Sequence, residues 1–271
     1  MSCPDCFKGS VLEGEPTGVS EFDGAYFASG GNPESKRAII LLTDIFGLKL
    51  KNPKILADQF AQYLKCDVWV PDVFAGHPPV TESQMKSLPD RAGVKLGFFG
   101  ILKLILIALP SIPALFVTNR KSVVDGRTTS FVKKLQEKKK YDHLGAIGYC
   151  FGGGIATRVG ATTSLFDSIV LVHPSGPTDE QLKAIKAPTA WSQPEDDMGI
   201  KPARLEEIEA MYEGRKGKDT FVDYEIKVYK GCAHGFGARP NFAYPDVKEG
   251  FEKAFQQAVD WFNKTIPETP Q

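Results

Sequence analysis

A cysteine sits between glycines near the middle of the chain, in Gly148-Tyr149-Cys150-Phe151-Gly152-Gly153. An apolar run, residues 144–147, precedes it, and a small-residue run, residues 154–161, follows. That order predicts a strand, a sharp turn and a helix. An elbow of the G-x-S-x-G kind holds a nucleophile on such a turn, above the end of a parallel sheet. Here cysteine stands where serine is usual. The flanking glycines permit the tight turn and a close helix. The free N–H groups of a helix N-terminus favour a thiolate and can hold an oxyanion. The plainer alternative is a buried cysteine acting as a small apolar residue, so the case depends on what else converges there.

In a parallel sheet, chemistry collects at the carboxyl ends of the strands. Asp44-Ile45-Phe46-Gly47 follows one predicted strand and Asp72 another. His173-Pro174-Ser175, Pro194-Glu195-Asp196-Asp197 and Gly231-Cys232-Ala233-His234-Gly235-Phe236 follow three more. The chain therefore offers Cys150, then an acid, then His234, which is the nucleophile–acid–histidine order of α/β-hydrolases. A thiol attacks a carbonyl as thiolate, so it needs a neighbouring base. An imidazole titrates in the right range, and an acid orients it. Asp196 and Asp197 both qualify for that acid.

These residues need strands and helices to carry them. Residues 38–43, 68–71, 144–149, 168–172, 189–192 and 223–229 read as strands. Residues 50–64, 122–137, 203–214 and 247–263 read as helices, with another following Cys150. Alternation of this kind predicts an α/β class with a mostly parallel central sheet and helices on both faces. No linker divides the chain, so residues 1–271 form one expected domain. Residues 96–117 are mostly apolar and long enough to span a bilayer. Lys103, Pro110 and Pro113 oppose a span. The expectation is an apolar helical insertion near 90–120, with outer limits 90–125, acting as a lid.

Composition excludes several classes. Lysine plus arginine number 33 and so do the acids, giving zero net charge, which argues against a nucleic-acid binder. The five cysteines are odd in number and irregularly spaced, so no disulfide framework is expected. Cys3 and Cys6 form a lone C-x-x-C without the further ligands that zinc needs. No His/Asp/Glu cluster has metal-ligand spacing, and His77 and His143 read as connection residues. The first residues lack the basic start and apolar core of a signal peptide, so a cytoplasmic location is expected.

Four motifs together resemble the dienelactone hydrolase family, in its carboxymethylenebutenolidase-like branch. They are Asp44-Ile45-Phe46-Gly47, Pro71-Asp72-Val73-Phe74, the Cys150 elbow and His234-Gly235-Phe236. The resemblance implies an α/β-hydrolase fold, a Cys-His-Asp triad and no cofactor. The family's acid follows a small-Glu-x-Asp pattern, which favours Asp197 over Asp196. Bacterial members carry Glu before Ile-Phe-Gly, where it meets the resting cysteine; Asp44 is one methylene shorter. They also bind a substrate carboxylate with arginines, one of them four residues after the histidine. Ala238 stands there, with Arg239 next, while Arg91, Arg120 and Arg127 are other candidates.

The expected activity is hydrolysis of an ester or lactone of a small organic acid through an acyl-thioester. Cys150, His234 and Asp197 would carry it, with the Ile45 and Phe151 amides as oxyanion hole. Asp44, His173, Phe236 and Arg239 would line the pocket or set the resting state. The alternatives are a thioesterase or acyltransferase on the same triad, or a ligand-binding protein that keeps only the fold. The expected partner is a small molecule, with neither nucleic acid nor membrane span, and the expected state is monomer or homodimer.

Overall fold

The computed structural model describes residues 11–82, 89–94, 109 and 117–268. Apart from Leu109 and Val117, the predicted lid segment 96–117 lies outside the described residues, as do Cys3 and Cys6.

The strands form where apolar residues run without interruption. Arg37-Ala38-Ile39-Ile40-Leu41-Leu42 is β3 (Arg37–Leu42), and every one of its residues is buried. Such continuous runs suit strands covered on both faces. In chain order come β1 (Val19–Ser20), β2 (Tyr26–Ala28), β3, α1 (Asn52–Leu64), β4 (Asp67–Val70), α2 (Lys121–Lys139) and β5 (His143–Tyr149). Then follow α3 (Phe151–Thr162), β6 (Ser168–Val172), α4 (Asp179–Ala184), β7 (Thr189–Asp196), α5 (Pro202–Glu213), β8 (Tyr224–Ala233) and α6 (Pro245–Thr265).

The eight strands make one sheet in the order β1-β2-β4-β3-β5-β6-β7-β8. Pairs β1–β2 and β2–β4 are antiparallel; the pairs from β4 through β8 are parallel. Alternate residues of each strand divide between two cores. Ile39, Leu41, Ile147, Val170 and Val172 join α1 and α6 on one face. Ala38, Ile40, Leu42, Ala146, Ile169 and Leu171 join α2, α3 and α5 on the other. This is the predicted α/β-hydrolase architecture, with helices on both faces of a mostly parallel sheet.

Two polar anchors fix the sheet against α6. Buried Arg37, at the start of β3, donates from Nη1 to the carbonyl of Ile266 at 3.0 Å and from Nη2 to Asn263 Oδ1 at 3.1 Å. Gln257 Oε1 accepts from Ser192 Oγ at 2.7 Å and from Tyr229 Oη at 2.8 Å, which ties β7 and β8 to the same helix. Those two strands deliver the acid and the histidine. Among the described residues, no helix is long and apolar enough to cross a membrane.

Candidate active site

β5 ends at Tyr149, and α3 starts at Phe151, leaving Cys150 alone on the turn. Its backbone has φ 51° and ψ −110°, a region that non-glycine residues seldom occupy. The surrounding glycines explain how the turn is tolerated. A Cβ on Gly148 would lie 2.4 Å from the carbonyl oxygen of Gly152, and one on Gly152 would lie 2.1 Å from that of Leu42. The first turn of α3 therefore presses directly on the end of β3. Cys150 N donates to the Val172 carbonyl at 3.1 Å, and Cys150 O accepts from Ser175 N at 2.9 Å, so β6 and its loop also hold the elbow.

β7 runs to Asp196 and shifts register at Pro194/Asp196, so Asp197 is the first residue beyond the strand. β8 ends at Ala233, one residue before His234. The three side chains meet in line. His234 Nε2 lies 3.1 Å from Cys150 Sγ, and His234 Nδ1 lies 2.8 Å from Asp197 Oδ2. The other carboxylate oxygen of Asp197 accepts backbone N–H groups from Gly199 at 2.6 Å and Ile200 at 3.0 Å. Asp196 stands apart: its side chain is half exposed and accepts from Gly93 N at 3.3 Å.

Burial opposes the charge on His234, but the Cys150 sulfur and the Asp197 carboxylate outweigh it and push the imidazole up to about 10. Burial likewise works against ionised Asp197, yet the His234 hydrogen bond, its positive charge and the two backbone donors hold it below the usual carboxylate value. The arrangement thus favours a sulfur–imidazolium–carboxylate row.

The expected oxyanion donors each lie close in sequence to the place where the first turn of α3 packs on the end of β3. Phe151 opens α3, where its N–H has no intrahelical acceptor. Ile45 lies three residues beyond the end of β3, against which that helix turn packs.

The four remaining predicted pocket residues divide differently. Asp44 is 3 % exposed and accepts from Arg239 Nε at 2.9 Å and from Phe46 N at 3.1 Å. Arg239, 7 % exposed, also lies over the Phe46 ring at 4.8 Å. Asp44 and Arg239 thus form an ion pair with each other, a pairing that linear spacing does not indicate. Gly235 makes room for this pair: it has φ +99°, and a Cβ there would lie 2.5 Å from Arg239 Nη2. His173 and Phe236, expected to line the pocket or set the resting state, are both buried. The ring of His173 has no exposure and packs 4.9 Å from that of His234. Phe236 packs between Tyr229 and His173.

The other arginines are also engaged. Arg91 donates to Asp246 at 2.9 Å, and Arg127 donates to the Val73 carbonyl and Asn119 Oδ1. Arg120 occupies the N-cap of α2. The Arg91 contact belongs to a set that the sequence did not indicate. Ala92 N donates to the Gly231 carbonyl and Asn241 Nδ2 to Asp90, so residues 90–93 are pinned beside the acid and histidine loops. Among the described residues, no group of three or more His, Cys, Asp or Glu could hold a metal.

The chain is similar over most of its length to known hydrolases. The hydrolase pyvD of Aspergillus violaceofuscus is 29 % identical, with 96 % of each chain covered. The human carboxymethylenebutenolidase homolog is 25 % identical over 85 % of this chain and 83 % of its own. A solved dienelactone hydrolase of Anabaena variabilis shares the fold at TM-score 0.54 and 14 % identity, covering 92 % of this chain and 97 % of that one. The dienelactone hydrolase family matches residues 24–266, so this chain belongs to that family, whose members are hydrolases acting on esters or lactones.

Proposed function

We propose that the protein cleaves an ester or lactone of a small organic acid by nucleophilic catalysis, with Cys150 as nucleophile, His234 as acid and base, and Asp197 as the orienting acid. The observation that carries this reading is the unbroken row Cys150 Sγ–His234 Nε2–His234 Nδ1–Asp197 Oδ2, at 3.1 and 2.8 Å.

The surroundings favour imidazolium at His234, so the sulfur beside it faces a cation and attacks as thiolate. Attack on the carbonyl carbon moves its π electrons to oxygen, where the N–H groups of Ile45 and Phe151 receive the charge. Collapse of this intermediate breaks the bond to the leaving oxygen, which takes the proton from His234, and leaves an acyl-thioester on Cys150. Neutral His234 then removes a proton from water as the water attacks the thioester. The second collapse releases the acid and restores the thiolate beside imidazolium. In a lactone the leaving oxygen stays tethered to the acyl group throughout, and the last step releases both together as one hydroxy-acid or enol-acid product. Asp197 keeps Nδ1 protonated and stabilises the cation each time it forms.

The test uses a panel of nitrophenyl esters and unsaturated lactones with the wild type and Cys150→Ala. Rapid quenching and intact-mass measurement should catch a mass increase equal to the acyl group, localised to Cys150. Undiminished turnover by Cys150→Ala would overturn the reading.

A further inference from the structure

His173 is out of place on ordinary packing grounds. It follows β6 with φ +38°, in the left-handed region that bulky side chains avoid. Its residue is fully buried, and neither ring nitrogen has a hydrogen-bond partner. An apolar side chain of similar volume would fill the space without stranding two polar atoms. The ring faces one functional group above all: it lies 4.9 Å from the His234 ring, inclined at 59°. Phe236 at 5.7 Å and Tyr149 at 6.1 Å complete its aromatic surroundings.

We propose that His173 is a positioning residue that acts through His234, presenting a permanently neutral imidazole to stabilise the imidazolium of the catalytic row. The proposal rests on the Cys150–His234–Asp197 reading of the site. A neutral aromatic ring offers its electron-rich face, or an unprotonated nitrogen, to a neighbouring cation. A charged ring would repel it. Burial, then the positive charges of His234 and Arg239, push His173 well below its ordinary value, so the neutral form persists across the working range. The groups facing His234 are thus Cys150 from the elbow, Asp197 from the β7 loop and His173 from the β6 end. Arg239, paired with Asp44, and un-ionised Tyr149 stand around His173. No proton passes to His173; its contribution is to the charge on the ring beside it.

The experiment records kcat/KM against pH for the wild type, His173→Leu and His173→Gln with nitrophenyl acetate, alongside NMR titration of labelled histidine rings. The alkaline limb of the wild type should follow loss of the His234 proton, near pH 10. His173→Leu should move that limb, and the His234 ring titration, to lower pH by about half a unit or more. His173→Gln, which keeps a polar neutral group, should recover most of the shift. A side chain that merely fills space would lower kcat by one factor at every pH and leave the limb in place; that result overturns the proposal. So does a wild-type His173 ring that titrates near 6.5. If His173→Leu does not fold, the His173→Gln profile and the wild-type titration decide. Cys150→Ala separates the two levels: retained turnover there sinks the catalytic reading, whereas a dead Cys150→Ala with unmoved His234 titration in His173→Leu sinks only this inference.

Discussion

Asp44 and Arg239, 195 residues apart in sequence, form a buried ion pair with a 2.9 Å hydrogen bond, packed against Gly235, the residue after His234. Both side chains are almost fully enclosed, so each is the other's compensation for lost hydration. Arg239→Met alone should cost about 3–5 kcal/mol, because it strands a buried carboxylate. Adding Asp44→Leu to it should cost much less than the sum of the single changes. Urea unfolding of the four proteins in this cycle measures the coupling; additive losses would show that the pair does not interact.

The two aspartates after β7 should separate cleanly. Asp197→Asn removes the carboxylate that orients His234, and turnover should fall by about a thousandfold or more. Asp196→Asn touches a half-exposed side chain, bonded only to a loop amide and near Lys201, and should change turnover less than about threefold. Steady-state kinetics on one ester, with both variants folded by circular dichroism, tests the assignment. A reversed order would move the acid by one residue.

The buried histidines should give stability opposite pH dependences. His234 has its folded value raised from 6.5 to about 10, so its contribution is full below 6.5 and is lost as pH rises through about 10. His173 has its folded value lowered, so its contribution is lost as pH falls below 6.5, where only the unfolded chain takes up the proton. Each single-proton difference corresponds to a slope of about 1.4 kcal/mol per pH unit within its window. Urea midpoints from pH 5 to 10 should therefore peak near 6.5, and His173→Leu should flatten the acid side.

Gly152→Ala is expected to damage both fold and activity. Its new methyl would lie 2.1 Å from the backbone oxygen of Leu42 and 2.7 Å from that of Thr43, neither of which can swing away as a side chain can. A loss of about 3 kcal/mol should follow, together with separation of the Phe151 and Ile45 amides. Thermal melting and ester turnover, measured on the same preparation, should fall together. An unchanged melting temperature would mean that the helix can shift without cost.

The sequence was most legible where burial is two-sided. β3, β5 and β6 announce themselves as unbroken apolar runs because helices cover both faces of the sheet. β1 and β2 were missed: two and three residues long, they carry too little pattern to stand out. β7 was read as ending at Ser192, since Pro194 and three acids discourage a strand. Its register shift at Pro194/Asp196 shows how the pairing continues past the proline. The six-residue α4 was also missed, although Thr178 and Gln181 form the reciprocal capping box that marks a helix start. The meeting of Cys150, Asp197 and His234 was legible because each follows a strand at the carboxyl edge of the sheet. The Asp44–Arg239 pairing was not. Arg239 N bonds the Gly235 carbonyl at 2.8 Å, a helical turn of chain that linear spacing does not reveal. The burial of His173 was hidden for a similar reason, since linear spacing does not reveal the left-handed backbone with which it follows β6.

The Arg37 anchor at the start of β3 has a consequence for synthesis. Its guanidinium bonds the Leu64 carbonyl early in the chain, but also Asn263, Ile266 and Glu268, which the ribosome adds more than two hundred residues later. A nascent chain halted after α5 would already contain Cys150 and its elbow, while Arg37 had Leu64 but lacked its partners at Asn263, Ile266 and Glu268. The ties between β3 and the final helix thus join segments made far apart in time, and they cannot form before α6 is made.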